Sequence, residues 1–418
     1  MNRGLPNIRH MRVFVETVAT GSVSEAAELC SLSQPAATQA IGRLEADIGT
    51  ALLLRRDRKF TTTPCGALFV RRVEAALAHL HAGARASLRF GREGKAARKW
   101  AVRVYDRLVT SAQLRTLIAV ANTGSFTVAA RELGLSQPTV HRAARSLEDI
   151  AGVAFFKATA SGVELTAAAQ ALAAGAKLAL AEIRQGIEEI GKELGNDQGT
   201  FNLGSLPLAR TSIVPQAAHA LISQTQGVQL RVVDGAYDGL LRNLREGDLD
   251  CLIGALRMPP PADDITQEPL FDDRLAIVAH PDHPLAGRSG LTLEDTLAYP
   301  WVAPPRQTPA GRYLYDTLRI AERERTPVRV VSSSLVMMRG ILAQGPYISI
   351  VSRHQIKVEE AAGLITPLDI ILTNDQRAIG LTYRTQWRPT ETQAIFMQEL
   401  RRFGKALGHR MPDAPPAQ

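Results

Sequence analysis

Residues 8–19 form the first predicted helix, because apolar side chains recur there at helical spacing. Its apolar side consists of Ile8, Met11, Val15 and Val18. Gly21 breaks the pattern, and either Ser22 or Ser24 can cap a second short helix over residues 24–30. The chain therefore begins with two helices joined by a short break.

A third helix is predicted to begin after Ser33. The Ser33 side chain can cap it, and Pro35 stands in its first turn, where a missing N–H costs nothing. Two helices that cross through a short turn form a helix-turn-helix. Residues 50–63 then predict a wing, with a basic run at 55–59 followed by β-prone residues.

The whole pattern recurs at an offset of 103 residues. Between residues 12–63 and 115–166, 16 of 52 aligned positions are identical, with no gap. The segment Gly21–Ala27 is matched by Gly124–Ala130, and Leu32-Ser33-Gln34-Pro35 is matched by Leu135-Ser136-Gln137-Pro138. The repeat indicates one duplicated domain rather than the short period of a solenoid. We refer to residues 12–63 as copy one and to residues 115–166 as copy two.

Each copy leads into a long Ala-rich segment with helical period, at 64–90 and at 166–195. An apolar seam follows each at steps of three or four: Phe69, Val73, Leu77 and Leu80 in the first, and Leu172, Ala176, Ala179, Ile183, Ile187, Ile190 and Leu194 in the second. Such seams pair helices, in parallel or antiparallel. The alternative is that each helix packs on its own domain. Between them, residues 85–103 form a basic, glycine-containing linker that could follow phosphates.

From residue 199 onward, short apolar strands alternate with helical segments. This pattern predicts an α/β domain with a mainly parallel sheet. The predicted strands are Phe201–Leu203, Gln229–Val233, Leu249–Gly254, Leu275–Ala279, Trp301-Val302, Val328–Val331 and Tyr347–Val351.

The charge is concentrated in the first part of the chain. The protein has 418 residues, enough for several domains, and a formal net charge of +8. Residues 1–100 hold 16 Lys/Arg and 8 Asp/Glu, whereas the remainder holds 33 of each. A basic quarter on a neutral body favours a polyanion partner, with a solvated surface as the alternative.

Other compositional features exclude several classes of protein. The three cysteines are far apart and rule out a disulfide framework or a structural zinc site, which favours a reducing compartment. The chain has no apolar run of about 18 residues and no signal-peptide pattern at its start. We therefore expect a cytoplasmic protein without a membrane span.

Both copies resemble the winged helix-turn-helix of LysR-type transcriptional regulators. The resemblance lies in the pattern A-A-x(4)-L-S-Q-P-x(8)-L-E, followed by a wing and by a Thr-Pro or Thr-Ala that opens a long helix. It implies an α/β protein overall: two all-α-rich winged helix-turn-helix domains followed by a two-lobed, Rossmann-like effector domain of the periplasmic-binding-protein type. It also implies a homodimer or homotetramer formed through the linker helices.

The sequence pattern and the resemblance together predict the domain boundaries, with the tail assigned from its Pro-rich composition. They are winged helix-turn-helix domains at 7–66 and 110–166; a linker helix and basic linker at 67–103; a dimerisation helix at 167–196; an effector domain at 199–408, with lobe I at 199–267 and 368–408 and lobe II at 268–367; and a disordered tail at 409–418.

The second helix of such a motif enters the major groove of DNA, and its N-terminal residues meet the base edges. The expected contacts in copy one are Ser33, Gln34, Pro35, Ala37, Thr38, Gln39 and Arg43, with Arg55 and Arg56 from the wing. Those in copy two are Ser136, Gln137, Pro138, Thr139, His141, Arg142 and Arg145. The alternative for each polar residue is an exposed helix face.

The two copies differ where they would touch DNA. Copy one presents Thr38-Gln39 and copy two presents His141-Arg142, so we expect different sequence preferences. The wing arginine of the family is missing in copy two, where Ala158 aligns with Arg55. Copy two either binds DNA less tightly or serves as a dimerisation or spacing element.

Ligands of open α/β sheets bind at the carboxyl ends of strands and beside helix N-termini. The expected effector contacts are Ser205, Leu206, Leu208, Arg210, Gly254, Arg306, Gln307, Thr308, Ser333 and Ser334. Hydroxyls, backbone N–H groups and arginines suit a small carboxylate or a sugar-derived ligand, although the same residues could be ordinary helix caps.

We therefore predict a sequence-specific, effector-responsive DNA-binding regulator whose partners are double-stranded DNA and a small molecule. The principal alternative is a ligand-independent architectural DNA-binding protein. An enzyme is disfavoured because the sequence lacks the common nucleotide-binding, zinc-protease and hydrolase motifs. We predict no catalytic residue, metal or cofactor.

Overall fold

The computed structural model describes residues 5–57, 59–90, 108–160, 162–323 and 327–408. Most of the predicted basic linker, one residue of the first wing and the predicted tail at 409–418 lie outside these ranges. The chain divides into two compact units. Unit one comprises residues up to Phe201 with the short segments 226–229 and 245–249, and unit two comprises the rest.

Unit one contains the same series of elements twice, once in each copy and its long helix. Copy one and its long helix comprise α1 (Ile8–Thr20), α2 (Val23–Leu29), α3 (Gln34–Ile48), β1 (Leu53–Arg56), β2 (Lys59–Thr62) and α4 (Pro64–Leu88). Copy two and its long helix comprise α5 (Ser111–Thr123), α6 (Phe126–Leu133), α7 (Gln137–Ala151), β3 (Phe156–Thr159), β4 (Gly162–Leu165) and α8 (Ala167–Glu193).

The helix boundaries follow from local capping. Ser33 and Ser136 are the N-caps of α3 and α7, and each side chain accepts a hydrogen bond from the backbone N–H three residues later. Gly49 and Gly152 end the same helices in the left-handed region, which glycine enters without strain. The sequence signals at these four positions are therefore explained by the structure.

A buried hydrogen-bond motif fixes each wing to its third helix. Glu45 Oε1 accepts from the backbone N–H groups of Leu52 and Leu53, at 2.7 and 3.1 Å. Glu148 Oε1 accepts from Phe155 and Phe156, at 2.7 and 3.2 Å. All three residues of the second motif stand 103 positions after their counterparts. The duplication thus extends from sequence identity to the hydrogen bonds that hold the tertiary structure.

The two long helices pack against each other, antiparallel and within one chain. Gly83 of α4 approaches Gly175 of α8, and Arg72 of α4 lies against Gly186 of α8. One apolar core extends through both copies and both helices, from Phe14 and Leu44 to Leu117 and Ile183, and a smaller cluster within copy two surrounds Val120 and Val140. The apolar seams predicted from sequence are therefore paired with each other within one chain.

Unit two is built on one mixed sheet with helices around it. Its strands are β5 (Thr200–Ser205), β6 (Gln229–Val233), β7 (Cys251–Ala255), β8 (Ile265–Ala279), β9 (Trp301–Ala303), β10 (Val328–Val331), β11 (Ile348–Ser352), β12 (Thr366–Pro367) and β13 (Gln376–Arg384). Its α-helices are α9 (Ile213–Gln224), α10 (Tyr237–Arg245), α11 (Leu293–Thr296), α12 (Pro309–Arg312), α13 (Leu335–Leu342), α14 (Lys357–Ala361) and α15 (Glu391–Gly408). Tighter or wider helical turns occupy Pro207–Arg210, Tyr313–Thr317, Ile320–Glu322 and Arg353–Ile356.

The sheet is less parallel than its sequence pattern predicts. Its order is β10-β9-β11-β8-β13-β7-β5-β6, with β12 beside β8. The pairs β5–β7, β9–β10 and β9–β11 are parallel, but β8 and β13 are antiparallel to each other and to the described strands they flank. The prediction of a mainly parallel sheet was wrong for this centre, because β13 was not identified and β8 was placed only at its second half.

Candidate nucleic-acid interface and ligand cavity

In copy one, α3 presents a polar face to the surface. Ser33, Gln34, Pro35, Thr38, Gln39 and Arg43 are all exposed. The Thr38 hydroxyl donates to the Gln34 carbonyl at 3.1 Å and so remains on the helix surface. Ala37 is fully buried in the core of unit one, which removes it from the predicted contact set. A one-residue change of position on a helix turns the side chain by about 100°, and the sequence alone did not fix which alanine faces inward.

In copy two, the equivalent face of α7 is polar, but more of its side chains contact other residues of the protein. Gln137, Pro138 and Arg142 are exposed. The His141 ring is half-buried against Phe126, with ring centroids 4.1 Å apart. The Thr139 hydroxyl lies 2.8 Å from that of Ser136 and accepts from Arg142 at 3.4 Å. The His141 imidazole thus has one apolar side on the core and one edge toward the surface.

Arg145 is engaged by the carboxylate that holds the second wing. Its guanidinium lies 2.9 Å from Glu148 Oε2, although its side chain is 75% exposed. Because the arginine side is exposed and screened by solvent, this ion pair contributes little to stability and can release the arginine to a phosphate. Arg145 can therefore reach a polyanion, but it must first leave its ion pair with Glu148.

The two wings differ in charge as the sequence predicts. Arg55 and Arg56 lie on β1, exposed, where β1 pairs antiparallel with β2. The corresponding strand β3 carries exposed Lys157 and Ala158. Strand β1 carries two guanidiniums and strand β3 carries one ammonium, so the first wing offers the stronger phosphate contact.

Unit two contains a cavity of about 900 Å³. Strand ends and helix N-termini from both halves of the sheet line it, as expected for a ligand site of this architecture. Of the residues predicted to contact an effector, Leu206, Leu208, Arg210, Gln307, Thr308, Ser333 and Ser334 line the cavity.

Three predicted contacts are not among the lining residues, each for a visible reason. The Ser205 side chain is fully buried. Gly254 lies beneath Leu206, where an added Cβ would come 2.4 Å from Leu206 Cδ1. Arg306 is exposed and forms an ion pair with Asp316 at 2.7 Å. Gly254 thus permits the close approach of Leu206, which is itself a lining residue.

Sequence reasoning missed the most strongly charged part of the cavity. Arg257, Arg312 and Arg377 line it together with Arg210, against the carboxylates of Asp234 and Asp238. Arg257 lies just beyond the end of β7, so the rule of strand ends could have found it. Arg377 belongs to β13, a strand that the sequence pattern did not reveal.

The arginines are not equally neutralised. Arg210 pairs with Asp234 at 3.0 Å, and Arg377 pairs with buried Asp273 at 2.9 Å. Arg257 stacks its guanidinium 4.4 Å from the centre of the Tyr237 ring. Burial, followed by the nearby positive charge of Arg312, lowers the pKa of Arg257. The cavity therefore carries surplus positive charge that an anionic ligand would neutralise.

Asp273 anchors the floor of the cavity. Its Oδ1 accepts from the Ser352 hydroxyl at 2.7 Å and lies 2.9 Å from His354 Nδ1, while Oδ2 accepts two bonds from Arg377. Burial opposes ionisation, but the hydrogen bond from His354, the charge of Arg377 and the Ser352 hydroxyl together lower the pKa of this carboxyl. The ionised aspartate holds Arg377 and Ser352, both lining residues, in fixed positions.

The described ranges offer neither a metal centre nor a membrane span. Within them, no group of three or more His, Cys, Asp or Glu side chains is arranged to hold a metal ion. Among the helices described, none is long and apolar enough to cross a membrane.

Comparison with known proteins identifies both parts of the chain. The model of the LysR substrate binding domain matches residues 194–405. The model of the bacterial regulatory helix-turn-helix protein of the lysR family matches twice, at residues 8–67 and 111–170. The two matches of the second model fall on the two copies.

Curated relatives carry names in agreement with these matches. The HTH-type transcriptional regulator GalR of Pseudomonas putida is 32% identical over 382 residues, which cover 91% of this chain and 93% of the relative. The HTH-type transcriptional regulator PcaQ of Agrobacterium fabrum is 27% identical over 297 residues, covering 71% and 95%. Among solved structures, a full-length OxyR variant from Pseudomonas aeruginosa shares the fold, with a TM-score of 0.54, 22% identity and coverage of 73% of this chain and 98% of that one.

Two winged helix-turn-helix copies and a cavity-bearing α/β unit define a DNA-binding transcriptional regulator with an effector-binding domain. The chain belongs to the LysR family of such regulators.

Proposed function

We propose that this regulator reads DNA with α3 and α7 and that an anionic small molecule in the cavity of unit two modulates this binding. The reading surface comprises the exposed polar residues of α3 and α7, aided by Arg55 and Arg56. Family membership supports the association of chains into a homodimer or homotetramer and a place in the cytoplasm, where the DNA lies. The proposed role requires no catalysis.

The observation that supports the effector proposal is the excess of positive over negative side chains in the cavity. Four arginines and two aspartates line it, and two of the four arginines have ion-pair partners within the described part of the chain. A carboxylate accepts two parallel hydrogen bonds from a guanidinium, which gives both energy and orientation. We propose that Arg257 and Arg312 bind the anionic group of the effector, while Thr308, Ser333 and Ser334 bind its other polar atoms.

The domain boundaries of the sequence analysis remain part of this proposal. Residues 7–66 and 110–166 are the two DNA-binding domains, residues 67–103 and 167–196 connect each of them to the next domain, and residues 199–408 bind the effector. Effector binding that favours one arrangement of the two lobes would couple the cavity to DNA binding through a differential affinity of about 1–3 kcal/mol.

A footprint on duplex DNA selected by the full chain from a random pool tests the proposal. Wild type is compared with Arg43→Ala and with the double variant His141→Ala/Arg142→Ala. Each variant should lose protection of one part of the site and keep the other. If the double variant leaves the footprint unchanged, copy two is a spacer and the assignment of α7 as a DNA-reading helix fails.

The architectural alternative has its own outcome. A protein without an effector would give the same footprint with and without small carboxylates, and the surplus charge of the cavity would then have no role in DNA binding. A change in footprint length or position with one carboxylate, abolished by Arg257→Met, supports the effector-responsive function.

A further inference from the structure

The two long helices meet at equivalent places through unlike residues. At the offset of 103 residues, Gly186 corresponds to Gly83, and Gly175 corresponds to Arg72. Gly83 packs on Gly175, and Gly186 packs on Arg72. Exchanging the copies therefore exchanges these two contacts, as in a twofold dimer. One contact, however, joins two glycines and the other joins a glycine to an arginine.

The glycine–glycine contact leaves no room for the arginine of copy one. A Cβ on Gly175 would lie 2.7 Å from the His79 carbonyl oxygen and 2.8 Å from Gly83 Cα. These neighbours are backbone atoms, which cannot move aside as a flexible side chain would. Helix α8 therefore accepts close approach at a position where α4 has a long side chain.

Arg72 is bound entirely by α8. It is buried, and its Nη1 donates to Glu182 Oε2 and to Gln185 Oε1, both at 2.9 Å. Its Nε donates to Glu189 Oε2 at 3.0 Å, and its Nη2 donates to the other oxygen of the same carboxylate. The guanidinium thus joins two carboxylates and one amide of the opposite helix.

The matching positions of α4 carry none of these acceptors. His79, Ala82 and Ala86 correspond to Glu182, Gln185 and Glu189. Two α4 helices packed together in this way would bury two guanidiniums without a carboxylate. Two α8 helices would bury four carboxylates opposite glycines. Buried charges without partners are strongly unfavourable, so each homotypic pair is disfavoured.

We propose that α4 and α8 form a heterotypic interface, which copy one makes with copy two of the same chain and which neither copy makes with itself. Each chain then holds one fixed pair of unlike DNA-reading helices. The DNA bound by one chain is then a duplex with two different half-sites at one separation, and these two half-sites are not related by palindromic symmetry. The part that concerns DNA rests on the proposed function, whereas the helix pairing does not.

The pairing is tested without DNA by electron–electron resonance distances between spin labels. The labels are placed at Glu28→Cys and Arg131→Cys, exposed and equivalent positions on α2 and α6, in a Cys30→Ser background. Wild-type pairing should give one narrow distance distribution that persists when labelled chains are diluted with unlabelled chains. Loss of the distance on dilution would mean that the pair forms between chains and would overturn the proposal.

Charge exchange then tests what selects the partner. Arg72→Glu and Glu182→Arg/Glu189→Arg should each broaden the distribution, and the triple variant should restore it because the charges are exchanged in one chain. Arg71→Glu, an exposed charge reversal one residue away, is the matched control and should change nothing. Arg72→Met adds no opposing charge and should broaden the distance distribution less than Arg72→Glu does. Circular dichroism of each variant shows whether a broad distribution is caused by misfolding instead.

Co-expression of the Arg72→Glu chain with the Glu182→Arg/Glu189→Arg chain separates the two arrangements. Restoration only in the triple variant supports pairing within the chain. Restoration by co-expression would place the interface between chains, and failure of the triple variant would show that these charges do not select the partner. Either result overturns the proposal.

Binding to a selected duplex provides the readout on DNA. An insertion of about five base pairs, half a helical turn, between the half-sites should weaken wild-type binding by about 100-fold, because the paired helices no longer reach both. Arg72→Glu should lose most of this dependence on spacing. If the wild type binds no duplex but keeps its narrow distance, the proposed function fails and the pairing stands.

Discussion

Glu45 and Glu148 stand at equivalent positions of the two copies, and each carboxylate accepts hydrogen bonds from two backbone N–H groups of its own wing. The bond connects the end of the third helix to the first wing strand. One side chain in each copy therefore contributes directly to the position of the wing relative to the helix that would read DNA.

Replacing Glu45 with alanine should free the wing of copy one. Two part-buried N–H groups lose their acceptor, which costs about 1–3 kcal/mol in the free energy of unfolding. Hydrogen exchange at the amides of Leu52 and Leu53 should accelerate, and DNA affinity should fall with it. Glu45→Gln is the control, since its amide oxygen can still accept; equal exchange rates in the alanine variant and the wild type would contradict the assigned role.

The first wing should determine much of the salt dependence of DNA binding. Each lysine or arginine that neutralises a phosphate adds about 0.9 to the magnitude of the negative slope of log affinity against log salt. Arg55→Ala/Arg56→Ala should therefore reduce the magnitude of the slope by up to about 2. The measurement is a titration of labelled duplex between low and moderate salt.

The second wing supplies the opposite test. Ala158→Arg places a guanidinium where copy one has Arg55, and it should raise the magnitude of the slope by about 1. An unchanged slope for Ala158→Arg, together with a lowered slope for the first-wing variant, would show that the second wing stays away from the phosphates.

Arg257 should be required for anion binding in unit two. Arg257→Met keeps much of the apolar stem but removes a charge-assisted hydrogen bond worth about 1.5–3 kcal/mol, which is roughly a 10- to 150-fold loss of affinity. Calorimetry with a panel of small carboxylates measures the loss. Arg306→Met, outside the lining residues, is the matched control; an equal effect of both variants would point to general charge rather than to the cavity.

Asp273 should contribute stability that disappears in acid. Its pKa in the folded protein is below the value of about 3.9 expected in the unfolded chain, so its stabilisation is fully present above pH about 4 and is lost as the pH falls through the folded pKa. In urea unfolding followed from pH 7 to pH 3, the wild type should lose stability more steeply below pH 4 than Asp273→Asn. At neutral pH the variant should be the less stable of the two, because Arg377 keeps its buried charge without a partner. Parallel pH profiles would remove Asp273 from this role.

The local signals of the sequence predicted the helices and wings of the two copies in unit one. Ser33, Gly49 and their counterparts mark helix ends through bonds within a few residues, and the repeat confirms each element by its second occurrence. Burial of Ala37 was not accessible in the same way, because it depends on the rotation of α3 against α1 and α2.

Long-range pairing explains what the sequence did not reveal in unit two. β13 has only a short apolar centre, and its strand partners β7 and β8 lie more than 100 residues earlier in the chain. Arg377 could not be assigned to the cavity without that strand. Arg257, in contrast, stands three residues after the end of a predicted strand and needed only the general rule of strand ends.

The packing of Gly83 on Gly175 has a consequence for the cell. When two DNA-binding domains belong to separate subunits, dilution below the dissociation constant of the subunits separates the domains. A regulator present in few copies then dissociates from its promoter. Here both domains are translated as one polypeptide and share one apolar core, so their mutual orientation is the same at a few molecules per cell as at a few thousand. Changes in the abundance of the regulator then alter how many DNA sites are occupied. Each occupied site still holds both DNA-binding domains of one chain.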